Sequence, residues 1–443
     1  MLGDVTRVAR LIMARLLERD EELRELAALA RRVGRDPGRV VLMRGEAGVG
    51  KTAVISELVA GADPAVRVLQ GWCDPLATPR PLGPLIDALA GLDRRVVDGL
   101  VGALDAGDTG GVYRRLLEVL RSGPRWLWVV EDMHWADGAT LDLLRFLGRR
   151  ISGLPLLLVM TYRDDEVGSR HPLAAAIGDV ATSAAITRIG LTPLSRDAVA
   201  ELSAGSGLNA TDLHRLTGGN PFYVTEILGA GPDRDGLPHS VAEAVLGRLA
   251  RLSDIARDTA NAVAVCGPRA SLALVHAICP HAKDGVDECL RAGVLVAEDG
   301  VLGFRHELAR RATLDQIPDH ERQLLHQGAM DVLSATPVEP DRLAALTFHA
   351  DQSGDDDAAV RYGIAGAQRA AALGANREAA ELYALALRHA PNVPAEQKVL
   401  WIEGHAFARY LYGDADTSAS LWRQAIKMRR AMGDRLGEGE DLG

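Results

Sequence analysis

One octapeptide constrains this chain more than any other: Gly45-Glu46-Ala47-Gly48-Val49-Gly50-Lys51-Thr52. It follows Val40-Val41-Leu42-Met43, an apolar run of strand length, and precedes the helix-like segment Ala53 to Ala60, so it occupies a strand-to-helix turn. Glycines at 45, 48 and 50 let the backbone curl until consecutive N–H groups face one anion, and the following helix adds its positive end. The spacing assigns Lys51 to the β- and γ-phosphates of a nucleotide and the Thr52 hydroxyl to Mg²⁺. The candidate binding set runs through Gly45, Glu46, Ala47, Gly48, Val49, Gly50, Lys51, Thr52 and Ala53.

The 443 residues are enough for two to four domains, and the net charge of −10 argues against a surface that coats nucleic acid generally. Cys73, Cys266, Cys279 and Cys289 form no CxxC pair and have no His at metal-ligand spacing, so free thiols in a reducing cytoplasm are expected. No apolar run approaches the ~18 residues that span a bilayer, and no membrane partner is expected. Residues 1–15 read as a leader of little fold content.

Residues 16–33 carry Leu23, Leu26, Ala27, Leu29, Ala30 and Val33 at helical spacing after an acidic start. Arg19, in the turn before them, is either a contact to a nucleotide base or ribose or a solvated arginine. Strands are expected at 66–71, 126–130, 154–161 and 186–191, with a helix at 82–92. The strand at 126–130 ends in Glu131-Asp132, where a phosphate-loop protein keeps its metal and attacking water. The usual order is Asp for Mg²⁺ and then Glu as base; the reversed pair assigns Glu131 to Mg²⁺ and the shorter Asp132 to the water, which fits slow hydrolysis. Capping of the strand is the alternative. Arg163, at the end of the next strand, either senses the γ-phosphate or pairs with Asp164 or Glu166. Five buried strands alternating with helices give a parallel α/β sheet.

From Ser195 to Leu228 the pattern is helical, broken at Thr217-Gly218-Gly219-Asn220-Pro221-Phe222, where Pro221 suits the first turn of a new helix. Helices near 241–252 and 254–265, then a hairpin at 294–304 around Asp299-Gly300, suggest a winged helix. From about Leu343 the chain is Ala-rich helix with a repeat: Ala359/Tyr362/Ala365, Ala380/Tyr383/Ala386 and Ala419/Trp422/Ala425, with Gly374 and Gly413 before the last two copies. This predicts stacked helical hairpins related to tetratricopeptide repeats, although the last step of about 39 residues exceeds the usual ~34. Gly437 to Gly443 break off where another helix should begin, so the chain reads as unfinished. The expected domains are a leader at 1–15, a P-loop ATPase domain at 16–194, a helical segment at 195–238, a winged helix at 239–335 and incomplete tetratricopeptide-like repeats at 336–443.

Taken in order, LLERDEEL (16–23), GEAGVGKT (45–52), VVEDMHWAD (129–137), TYRDDE (161–166), LTPLS (191–195), GGNPF (218–222) and FRHELAR (304–310) resemble the STAND class of signal-transduction ATPases, specifically the large ATP-binding regulators of the LuxR type related to MalT. The resemblance implies that Pro221 lies against adenine and that His306 contacts the β-phosphate of bound ADP, latching the winged helix closed. On the residues alone, His306 reads first as a structural histidine. The resemblance implies an ATP/ADP switch with slow hydrolysis, an inducer on the helical repeats and self-association in the ATP state. A turnover ATPase and a repeat scaffold with a decayed nucleotide site are the alternatives. The helix-turn-helix that ends such regulators is not matched within these residues, so direct DNA binding is not expected of this chain.

Overall fold

The computed structural model of the protein describes residues 16–437 except 77, 183–184, 231–240, 299, 336, 392 and 436. The leader, the last part of the helical segment, Asp299 of the hairpin and the end beyond Gly437 lie outside the described residues.

The first unit runs α1 (Asp20–Arg32), β1 (Arg39–Arg44), α2 (Lys51–Ala60), β2 (Val66–Trp72), α3 (Gly83–Ala88), α4 (Arg94–Asp105), α5 (Thr109–Ser122), β3 (Arg125–Glu131), α6 (Gly138–Gly148), β4 (Leu156–Tyr162), α7 (Pro172–Ala181) and β5 (Ile186–Gly190). The five strands are parallel, in the order β2-β3-β4-β1-β5. Trp126, Trp128 and Val130 of β3 enter the core on one face of the sheet, Leu127 and Val129 that on the other. Burial on both faces is why β3 reads as an unbroken apolar run. The order places the end of β4 between the ends of β1 and β3, so loop, acids and Arg163 share one sheet edge. The sequence reading passed over α4 and α5, whose inward stripes (Leu100, Ala103, Leu104; Val112, Leu116, Leu120) are narrow beside Arg94, Arg95, Arg114 and Arg115.

Three helices follow, α8 (Arg196–Ser203), α9 (Ala210–Thr217) and α10 (Pro221–Ala230). Their core of Leu194, Val199, Leu213, Val224 and Ile227 also takes in Leu17 from the start of the chain. Gly218 and Gly219 at φ 60° and 76° make the break before Pro221. The next unit comprises α11 (Val241–Ala250), α12 (Asp254–Cys266), β6 (Ala270–Ser271), α13 (Leu272–Ile278), α14 (Ala282–Arg291), β7 (Leu295–Glu298), β8 (Val301–Phe304), α15 (Glu307–Leu314) and α16 (Asp319–Leu333). The hairpin β7–β8 gains a third antiparallel strand, the two-residue β6, too short to read from sequence.

The C-terminal helices are α17 (Leu343–Ser353), α18 (Asp356–Ala372), α19 (Asn376–Arg388), α20 (Ala395–Tyr412) and α21 (Ala415–Met432). Four turns end at glycines in the left-handed region, Gly354, Gly374, Gly413 and Gly433 (φ 78°, 80°, 99° and 74°), where the sequence reading used two. Tyr362 and Tyr383 are buried with Ala359, Ala380 and Ala386, but these first two copies lie on consecutive helices. In the third copy Trp422 and Ala425 pack inward, but Ala419 is corrected: it is exposed, and Ser418 faces inward instead, its Oγ donating to the Ala406 carbonyl of α20 at 2.8 Å. These helices dock on the α/β sheet and share its core, with Ile364, Ala367, Leu373, Leu382 and Tyr383 in the same cluster as Leu82, Leu85 and Leu144. Gly138 N donates to the buried Glu378 carboxylate at 3.2 Å, and the Arg377 guanidinium donates to the Ala136 carbonyl at 3.4 Å.

Candidate functional site

The glycine-rich loop joins β1 to α2, and five consecutive carbonyls of it accept hydrogen bonds, two from its own Lys51 and three from outside. Lys51 Nζ donates to Gly45 O (2.5 Å) and Glu46 O (2.9 Å), and Asn220 Nδ2 to Ala47 O (2.9 Å). Phe222 N donates to Gly48 O (3.2 Å) and Arg19 Nη2 to Val49 O (3.2 Å). A trans peptide points its N–H opposite to its C=O. With the Ala47 and Val49 carbonyls taken by outside donors, Gly48 N and Gly50 N turn the opposite way, where an anion would sit, whereas Val49 N donates within the loop to Glu46 O at 3.4 Å. Gly48 is at φ 79°, and a Cβ there would lie 2.7 Å from Phe222 Cβ, so only glycine lets α10 approach this closely. Gly50, at φ 103°, opens α2 without a side-chain cap, leaving the positive end of the helix, with Lys51, Thr52 and Ala53 in its first turn, for an anion.

Arg19 is buried, which excludes the solvated alternative: besides Val49 O it donates to Thr192 O at 2.6 Å, bracing the loop against the end of β5. Lys51 is also buried, and loss of hydration lowers its pKa, an effect opposed by Asp132 and reinforced by Arg163.

Thr52 Oγ1 donates to Glu131 Oε2 at 2.8 Å, and Trp72 Nε1 donates to Glu131 Oε1 at 3.1 Å. Burial pushes the Glu131 carboxyl up to about 7, moderated by those two donors. Asp132 takes a left-handed conformation (φ 57°), its N–H donating to Thr161 Oγ1 at 3.0 Å, and burial raises its pKa as well. A hydroxyl and a carboxylate side by side at the helix start fit a hard, oxygen-seeking cation that takes its other ligands from phosphates and water. Among the described residues no group of three His, Cys, Asp or Glu could hold a metal without such outside ligands.

Arg163 forms the acidic pair of its two readings: Nη1 lies 2.6 Å from Glu166 Oε1 and its guanidinium stacks over Trp135 at 4.8 Å. His134 is buried against Trp135, and burial lowers its pKa to about 3. It is therefore neutral, and its 3.7 Å approach to Glu166 is not an ion pair.

Pro221 starts α10 between Asn220 and Phe222, both on the loop. His306 reaches the same place from the end of β8: its ring packs on Phe222 with centroids 4.0 Å apart. Burial holds it neutral, near 3. The structure thus gathers Arg19, the loop, Glu131, Asp132, Arg163, Pro221 and His306 around one sheet edge. Asn220, Phe222, Trp72 and Thr161 were missed as site residues. No local signal marks Trp72, which comes opposite Glu131 only through the β2–β3 register. Asn220 needed knowledge of where α10 docks.

Residues 15–159 match the AAA ATPase domain family. This AAA ATPase segment contains the loop and Glu131-Asp132, while the helical and hairpin units that close on it lie outside the match. An uncharacterised protein of Rhizobium meliloti is 28% identical over 84% of this chain and 42% of its own length. A peroxide stress-activated histidine kinase of Schizosaccharomyces pombe is 23% identical over 70% of this chain and 15% of its own. The chain therefore spans less than half the length of these curated relatives. Among solved structures, a STAND protein with a tetratricopeptide repeat sensor from Pyrococcus horikoshii is similar at TM-score 0.49 and 13% identity, over 93% of this chain and 64% of that one. A Walker-type ATPase of Pyrococcus abyssi is similar at TM-score 0.37 and 14% identity, over 67% of this chain and 96% of that one. No helix among the described residues is long and apolar enough to cross a membrane.

Proposed function

We propose that the chain is an ATP/ADP-binding switch with slow ATP hydrolysis, the regulatory part of a longer regulator of the LuxR type. The observation that carries this is the set of donors on the loop: Arg19, Asn220 and Phe222 reach it from outside the β1–α2 unit, and His306 packs on Phe222 from the hairpin unit. Any anion in the loop is then bound by an assembly of three units, and separating the units dismantles its site. The hairpin unit acts as a winged helix, and His306 favours ADP by latching it closed.

Thr52 and Glu131 would hold Mg²⁺, which would offset phosphate charge. Asp132 orients the attacking water, and its shorter reach holds that water less well than a glutamate would, which keeps hydrolysis slow. An inducer on the tetratricopeptide-like helices acts through their docking at Ala136 and Gly138, immediately beyond the acids. It favours an open, ATP-bound form that self-associates in the cytoplasm. Moving such a switch from 1:99 to 99:1 requires about 5.5 kcal/mol of differential binding. Protein stripped of nucleotide gains stability on adding ADP, by about 4 kcal/mol at a thousand times the dissociation constant. No melting shift with ADP or Mg-ATP overturns the switch in favour of a scaffold.

A further inference from the structure

Glu131 is the acid with a donor on each oxygen, and the second donor comes from a residue that no motif marks. Trp72, the last residue of β2, directs its indole N–H to Glu131 Oε1 at 3.1 Å. The strand end is fixed, since Trp72 N donates to Asp87 Oδ2 at 3.1 Å and Asp87 is itself paired with Arg80 at 2.7 Å.

The ring of the same tryptophan carries a visitor from another unit. The Arg269 guanidinium lies 3.6 Å from its centroid, within cation–π range. Arg269 sits on the turn between α12 and β6, where Gly267 at φ 112° reverses the chain. A Cβ at Gly303 of β8 would come within 2.5 Å of Pro268 O, so that turn is packed flush against the small sheet. Arg269 is thus presented by the framework of the hairpin unit, even though its side chain is exposed.

We propose that Trp72 is a positioning residue for Glu131, and that Arg269 on its ring is the contact through which the hairpin unit sets the metal-side carboxylate. The unit makes contacts at two separate places around the site, His306 on Phe222 of α10 beside the loop and Arg269 on Trp72 of β2 beside the acid. Closure at the second place holds the indole so that its N–H stays on Glu131; opening frees the ring, and the carboxylate keeps Thr52 alone. This rests on the assignment of Glu131 to the metal side of the site.

Three variants test it. Trp72→Phe keeps a ring for Arg269 and removes the N–H, while Arg269→Gln and Arg269→Lys remove and retain the cation. In Trp72→Phe the Mg²⁺ concentration that half-saturates ADP retention rises about tenfold, with ADP affinity in EDTA within about twofold of wild type. In protein free of nucleotide and metal, Arg269→Gln shifts the tryptophan emission, Arg269→Lys restores it, and neither does so in a Trp72→Phe background. An unchanged Mg²⁺ midpoint in Trp72→Phe, or equal loss with and without Mg²⁺, overturns the positioning role. An unchanged emission in Arg269→Gln overturns the coupling. Wild type that binds no ADP overturns the switch itself and this proposal with it, whereas a normal wild type beside an unaffected Trp72→Phe overturns this proposal alone.

Discussion

The side-chain amide of Asn220 donates to the carbonyl of Ala47 across 2.9 Å and 173 positions of sequence. Its Oδ1 also accepts from Phe222 N at 3.1 Å, so one side chain ties the start of α10 to the phosphate loop. Asn220→Ala leaves the Ala47 carbonyl without that donor, at a cost of about 1–3 kcal/mol. ADP dissociation, followed with a fluorescent analogue, should accelerate by roughly tenfold or more. A dissociation rate equal to wild type contradicts a clamp.

Lys51 is buried with its ammonium on two loop carbonyls, so the loop and the lysine shape each other. Lys51→Ala removes the cation at the phosphates and the tie across the loop. Nucleotide affinity by calorimetry should fall at least about a hundredfold.

His306 touches Phe222 and not a loop atom in any hydrogen bond described above, so its removal should act on closure. His306→Ala is expected to weaken ADP more than ATP, measured as two dissociation constants on the same preparation. Equal weakening of both sinks the latch.

Acid should destabilise the fold. Burial lowers His306, His134 and His349 to about 3 and His326 and His405 to about 4. Below pH ~6.5 the unfolded chain takes up protons at these five positions and the folded chain does not, so stability declines as pH falls through that window. Burial raises Glu131 to about 7 and Asp137 to about 6 and raises Asp132, Asp74 and Glu226 as well; these carboxyls, with His389, raised against the pull of burial by its bonds to Asp356 and Asp351, run the other way. The five histidines, each displaced from 6.5 to about 3 or 4, carry the larger share between about pH 7.5 and pH 5, so the urea midpoint at about pH 5 should lie below that at about pH 7.5. A higher midpoint in acid contradicts the burial of these rings.

Local periodicity and motif spacing made the α/β sheet, the phosphate loop and Glu131-Asp132 legible, because each lies within one strand or one turn. The break at Gly218-Gly219 and the start of α10 at Pro221 were equally local. Whatever depends on docking was not. Arg19 looked as free as any arginine near a turn, since nothing local shows Val49 O and Thr192 O closing over it. Arg163 had two equal readings, and its pairing with Glu166, three residues on in the turn after β4, is one that spacing alone left open. The Ala419 register failed because one Ser418 hydrogen bond outranks an alanine pattern on a lightly covered helix.

Glu378 caps the start of α6 from the C-terminal helices. Glu378→Ala should cost about 1–3 kcal/mol in urea unfolding, and any inducer acting through that dock should lose part of its effect on nucleotide release.

The central claim is that three units hold one nucleotide between them. The most direct measurement is chromatography of the supernatant from freshly purified, intact protein after denaturation. The account predicts ADP released at about one per chain; an empty site would contradict it.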